Sequence, residues 1–243
     1  MDKQRNIIID QSILTVLILF LILAGVYFGY IQELLLHDVS MISFVIFSMW
    51  AVITIVLFKN TWQLNNELKN TQKLYTILEH QYKNDDVDIE KLDLPEGLIG
   101  EYIQNLKQKN NLGIGKIDQS ILLENLDVQL YKKIRWSFFL TNKITNLGLL
   151  GTAIGFAVAL NALFEVESFD FETMKEILTQ VAVGMGIALY TTISALLASV
   201  PLKAQTQVLE SGVDHIINNV TKITEVYVIP SLERTNYEKN QNQ

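Results

Sequence analysis

Four stretches of this chain contain no Asp, Glu, Lys or Arg: residues 11–32, 39–58, 144–164 and 177–202. Each reaches or exceeds the ~20 residues that carry an α-helix across ~30 Å of hydrocarbon at ~1.5 Å per residue. With 49% hydrophobic and 19% charged residues among 243, composition alone permits either soluble domains or a polytopic membrane protein. The clustering of the charges decides for the second. The expectation is an all-α fold with four transmembrane helices. The first run follows Lys3 and Arg5, as a signal peptide would. It is longer than a signal core of roughly 7–15 residues, and it ends in Tyr27, Tyr30 and Glu33 without a small-residue cleavage pattern, so it reads as an uncleaved helix.

The cations set the orientation. With a cytoplasmic N-terminus, the outer loops are 33–38 and 165–176, which hold one Lys/Arg, Lys175, and seven Asp/Glu. The other 18 of 19 Lys/Arg then face the cytoplasm, with Lys59, Lys132, Lys133, Arg135, Lys143 and Lys203 near helix ends where such charges count. The net charge of -7 thus comes from acidic outer loops and tail, and gives no case for nucleic-acid binding.

The chain divides by this reading into an N-terminal transmembrane hairpin (1–58), a cytoplasmic helical region (59–143), a core transmembrane hairpin (144–202) and a C-terminal cytoplasmic helix with a frayed tail (203–243). The 59–143 region has twelve basic and twelve acidic residues and too little hydrophobic mass for an enzyme domain. Trp62, Leu64, Leu68, Tyr75, Leu78 and Tyr82 recur at helical spacing, so the second span continues into a stalk. The acids, Pro95 and Gly97 of 84–97 predict a turn or loop. Asp118 is placed to cap a helix starting at Gln119 and running through Leu122, Leu126, Leu130 and Ile134. Trp136, Phe138 and Phe139 suit the membrane interface just before the third span. In the tail, Leu209, Val213, Ile216, Val220, Ile223 and Tyr227 form a short heptad seam, a sign of helix pairing.

Enzyme chemistry finds little support. His37, His80 and His215 are isolated in sequence and there is no cysteine, so neither a metal site nor a disulfide is expected. The acid pairs Asp85/Asp86 and Glu165/Glu167 have no accompanying nucleophile. The GIG at 113–115 and the GMG at 184–186 lack the strand–turn–helix setting and following Lys-Ser/Thr of a phosphate-binding loop. The chain is read as a non-enzyme without cofactor or metal.

The third and fourth spans differ from plain lipid anchors. Gly148, Thr152, Gly155 and Ala159 fall on one stripe, with Gly151 and Gly155 in a GxxxG; Gly184, Ala188, Thr192, Ala195 and Ser199 form a second. Such stripes let helices approach closely in a membrane, and by spacing alone they could serve packing only.

LGLLGT followed by Gly155, then GxxxALxxT with Pro201 nine residues beyond, resembles the paired signature of the MotA/TolQ/ExbB proton-channel family over about 147–155 and 184–201. The four-span layout is similar to the flagellar MotA branch. Ile187 stands where ExbB and TolQ members usually carry Glu, and Thr145 where a Pro is often found. The resemblance implies a ring-forming stator subunit of the bacterial inner membrane with cytoplasmic termini. Such a subunit is a homopentamer around two copies of a single-pass MotB/TolR/ExbD-like partner, and turns ion flow into mechanical work. It implies that Thr152, Thr191 and Thr192 line the ion path, and that Gly148, Gly151, Gly155, Gly184, Ala188 and Ala195 set close packing around the partner helices. Since no span holds an Asp or Glu, the partner is expected to supply the membrane carboxylate. The expected ion is the proton, with sodium, suggested by the Thr191-Thr192 pair, as the alternative. Thr15, on the first span, is expected to lie away from the path. A four-span scaffold or sensor without conduction is the competing reading.

Overall fold

The computed structural model describes residues 7–38, 40–83, 94–111, 118–164 and 170–234. All the regular structure among them is helical: α1 (Ile7–Tyr27), α2 (Tyr30–His37), α3 (Ile42–Lys83), α4 (Leu98–Asn111), α5 (Ser120–Phe164) and α6 (Phe171–Ile223), followed by a π-helical turn (Thr224–Val228). α1, α3, α5 and α6 are each long and apolar enough to cross a membrane.

Contacts divide the chain into two compact units. An apolar unit holds Ile9–Phe58 and Arg135–Gln207; a polar unit holds the described residues of Met1–Ile8, Lys59–Ile134 and Val208–Gln243. The apolar unit exposes Phe20, Leu21, Phe44, Ile55, Leu149 and Leu189 among many large hydrophobic side chains. Water would penalise such a surface heavily, and lipid does not. The most apolar window of α6 is 39% buried against 17% for α1, so α6 lies nearer the centre and α1 at the periphery.

The spans begin and end where local chemistry dictates. Gly29, in the left-handed conformation at φ 81°, separates α1 from α2. Most of the expected 33–38 loop is therefore helix, because YIQELLLH carries enough apolar residues to continue beyond the break. Asp38 opens α3 by accepting the Ser43 backbone N–H at 2.7 Å. Burial raises its pKa, but hydrogen bonds from Ser40 and Ser43 outweigh this and hold the carboxyl below its usual range. Asp170 accepts the Thr173 backbone N–H at 2.8 Å and so starts α6 within the expected 165–176 loop. Pro201 lies inside α6 without ending it, so the expected division at 202/203 falls within one continuous helix.

In the polar unit, Leu64, Leu68 and Leu78 of α3 are buried, as their spacing predicts, while Trp62 is 65% exposed. α4 is docked through its N-terminus: Leu98 N–H donates to Glu67 Oε1 at 3.3 Å, and Asn70 Nδ2 donates to the Glu96 carbonyl at 2.7 Å. Gly97 turns into α4 at φ 123° beside the Glu67 carboxylate, a place a side chain could not occupy. Asp118 accepts the Ser120 backbone N–H at 2.9 Å at the start of α5. Residues 84–93 and the GIG at 113–115 lie outside the described residues, as do Glu165 and Glu167.

The tail seam is buried at Leu209, Val213, Ile216, Val220 and Ile223. At its end the register changes. The π turn inserts one residue, so Val228 rather than Tyr227 is fully buried, and Tyr227 instead packs edge-on against Tyr75 with ring centroids 6.0 Å apart.

Candidate ion-path seam

α5 and α6 meet along their small residues. A Cβ on Gly148 would overlap that of Ala195, and one on Gly151 would overlap the Thr191 side chain. A Cβ on Gly155 would overlap the Ala188 backbone nitrogen and come within 2.5 Å of the Gly184 carbonyl oxygen, while Gly184 faces Ala159 in the same way. The closest obstacles at Gly155 and Gly184 are backbone atoms that cannot swing aside. The small-residue stripe is thus consumed within one chain, holding α5 against α6 at backbone contact. The sequence placed these residues on one face, but the helix they face is their own neighbour.

The three threonines are not equivalent. Thr191 is 0% exposed, sits over Gly151, and donates to the Ile187 carbonyl at 2.8 Å, so its hydroxyl is spent inside the protomer. Thr152 and Thr192 lie half-buried at one edge of the seam with their Oγ1 atoms 2.6 Å apart. Thr152 is also 2.9 Å from the Gly148 carbonyl and Thr192 2.9 Å from the Ala188 carbonyl. Two hydroxyl protons thus serve three contacts. In one arrangement Thr152 donates to Thr192, which donates to Ala188; in the other Thr192 donates to Thr152, which donates to Gly148. The pair can reverse its polarity by rotating two hydroxyls, with no backbone motion. Exposed Leu149, Phe156, Met185 and Leu189 flank these positions in sequence, leaving the hydroxyls as polar atoms in an apolar setting.

Ile187 is buried and contributes only its carbonyl to Thr191. Thr15 donates to the Gln11 carbonyl at 2.7 Å and accepts from Gln205 Nε2 at 3.2 Å, and Gln205 is fully buried in α6. It ties α1 to α6, a link across 190 positions that local spacing could not reveal.

Residues 132–222, from α5 through nearly all of α6, match the MotA/TolQ/ExbB proton channel family. Over this segment the chain is similar to that family. Comparison with curated proteins and with solved structures finds no match. The matched segment contains both faces of the seam, and the match supports a channel-like role in a membrane. The match falls on the two helices that meet along the small-residue seam, while α1 to α4 lie outside the matched residues.

Proposed function

We infer that this chain is the ring subunit of an ion-driven motor: five copies surround two single-pass partner helices, and proton flow past the seam does mechanical work. The observation that carries this reading is the Thr152–Thr192 hydroxyl pair, 2.6 Å apart at the half-buried edge of spans that hold no charge of their own. A carboxylate on a partner helix, once protonated, is neutral enough to pass an apolar wall, and a reversible hydroxyl pair gives it a donor or an acceptor as needed. Thr191 then acts through packing, by seating α6 against Gly151. The ring lies in a bacterial inner membrane with both termini in the cytoplasm, as the cation distribution supports.

The test is proton flux into vesicles holding the chain with its single-pass partner. Thr152→Val and Thr192→Val keep the shape and remove a hydroxyl, and each should slow flux by about 5- to 150-fold, the equivalent of ~1–3 kcal/mol for an orphaned buried polar group. Ser48→Ala, which removes an exposed hydroxyl bonded to the Phe44 carbonyl, should leave flux unchanged. A dependence on external sodium would reassign the ion. Full activity of both Thr variants would favour a scaffold or sensor, with the hydroxyls serving packing alone.

A further inference from the structure

On the side of α5 turned away from Thr152, one helix face joins two cations and two aromatic rings to a run of hydrocarbon. Arg135, Trp136, Phe139 and Lys143 fall within an arc of about 100°, centred roughly 150° from Thr152. All four are exposed, Trp136 at 68%. Trp136 meets Phe139 edge-on with centroids 5.7 Å apart, and Lys143 Nζ lies 4.8 Å from the Phe139 ring centroid. The cation is therefore held against Phe139, with Trp136 set at a right angle to that ring beside it. Farther along the same arc come Leu150, 54% exposed, and Ile154, 39% exposed.

We propose that this face binds an acidic phospholipid, with Arg135 and Lys143 holding its phosphate, Trp136 and Phe139 its glycerol region, and Leu150 and Ile154 an acyl chain. The two Cα positions of the cations lie about 12 Å apart along the axis on either side of the ring pair, but Lys143 Nζ reaches back over Phe139, so charge and rings share the headgroup level and the hydrocarbon of Leu150 and Ile154 follows. A second copy of this chain is the poorer occupant. At this end of the apolar unit the only described carboxylate is Asp10, which is half-buried and already engaged. A neutral lipid would cover the hydrocarbon portion and leave both cations without an anion.

The chain has three tryptophans, so Trp50→Phe with Trp62→Phe leaves Trp136 as the only reporter in the full-length protein. In phosphatidylcholine vesicles, a small fraction of lipid is replaced by phosphatidylglycerol brominated on its acyl chains, or by equally brominated phosphatidylcholine. The acidic lipid should be enriched at Trp136 roughly fivefold over the neutral one, by quenching. Arg135→Gln with Lys143→Gln should level the two lipids, and Arg135→Lys with Lys143→Arg should keep the preference, which separates lost charge from lost fold. Equal quenching by both lipids in the parent would overturn the proposal. So would quenching by neither, which would mean that protein covers the face, or loss of the preference on adding inorganic phosphate, which would assign the cations to a soluble anion.

Discussion

Thr191 and Thr192 are neighbours in sequence and about 100° apart on the helix, which is enough to give them different fates. One hydroxyl is sealed over Gly151 and the other reaches the seam edge beside Thr152. The stripe of small residues was legible from spacing, but that reading put Thr192 on it, whereas Thr191 is the threonine that packs against Gly151, one residue round the helix. The same scale yields a test of the seam. Gly155→Ala drives a methyl into the backbone of α6 and should destabilise the α5/α6 pair by ~1–3 kcal/mol, whereas Gly186→Ala meets only the Tyr190 ring at 3.6 Å and should be tolerated. Thermal unfolding in detergent compares the two, and equal melting temperatures would contradict the close approach.

Among elements, the π turn is the feature that no local pattern announced. Thr224, at its start, donates to Gln119 Oε1, which also accepts from the Tyr102 hydroxyl at 2.6 Å, and Gln119 Nε2 donates to Glu225 at 2.6 Å. This buried network joins α4, the residue preceding α5 and the π turn, and a chain partner 105 positions away explains why the heptad reading placed Tyr227 in the seam. Burial, with a contribution from Glu225, pushes the Tyr102 phenol up to about 12 despite the opposing hydrogen bond with Thr224. An unfolded tyrosine ionises near ~10, so the folded state holds its proton more tightly. The stability this contributes is complete below that value and is lost as pH rises toward the folded one. Melting temperature should fall more steeply above pH ~10 in the parent than in Tyr102→Phe, which should itself cost ~1 kcal/mol at neutral pH. The tail seam gives a second test. Ile216→Asp removes ~1.5–3 kcal/mol of burial and adds a buried charge, while Val226→Asp lies at an exposed position. Hydrogen exchange should show the polar unit losing protection in the first variant only.

At the scale of the whole molecule, the protomer satisfies its α5/α6 seam internally and yet leaves a broad apolar surface and a half-exposed hydroxyl pair. Four helices long and apolar enough to cross a membrane, and the match of 132–222 to the MotA/TolQ/ExbB family, support a membrane setting for that surface. The proposed ring makes a direct prediction: native mass spectrometry from mild detergent should show five copies of the 27.7 kDa chain, with two partner chains added on co-expression. A stable monomer or dimer would remove the ring from the proposed mechanism.

The sequence by itself determined the four spans, the long helical extension of α3, the caps at Asp118 and the small-residue stripes. Each follows from local rules: absence of charge over ~20 residues, apolar spacing, and a carboxylate next to a free backbone N–H. Tertiary structure alone decided that the stripes face each other within one chain, that Thr191 is sealed, that Thr15 supports Gln205, and that the tail changes register at Thr224. The reason is that helical periodicity fixes the direction of a side chain from its own axis, whereas its partner is set by the packing of elements tens to nearly two hundred residues apart.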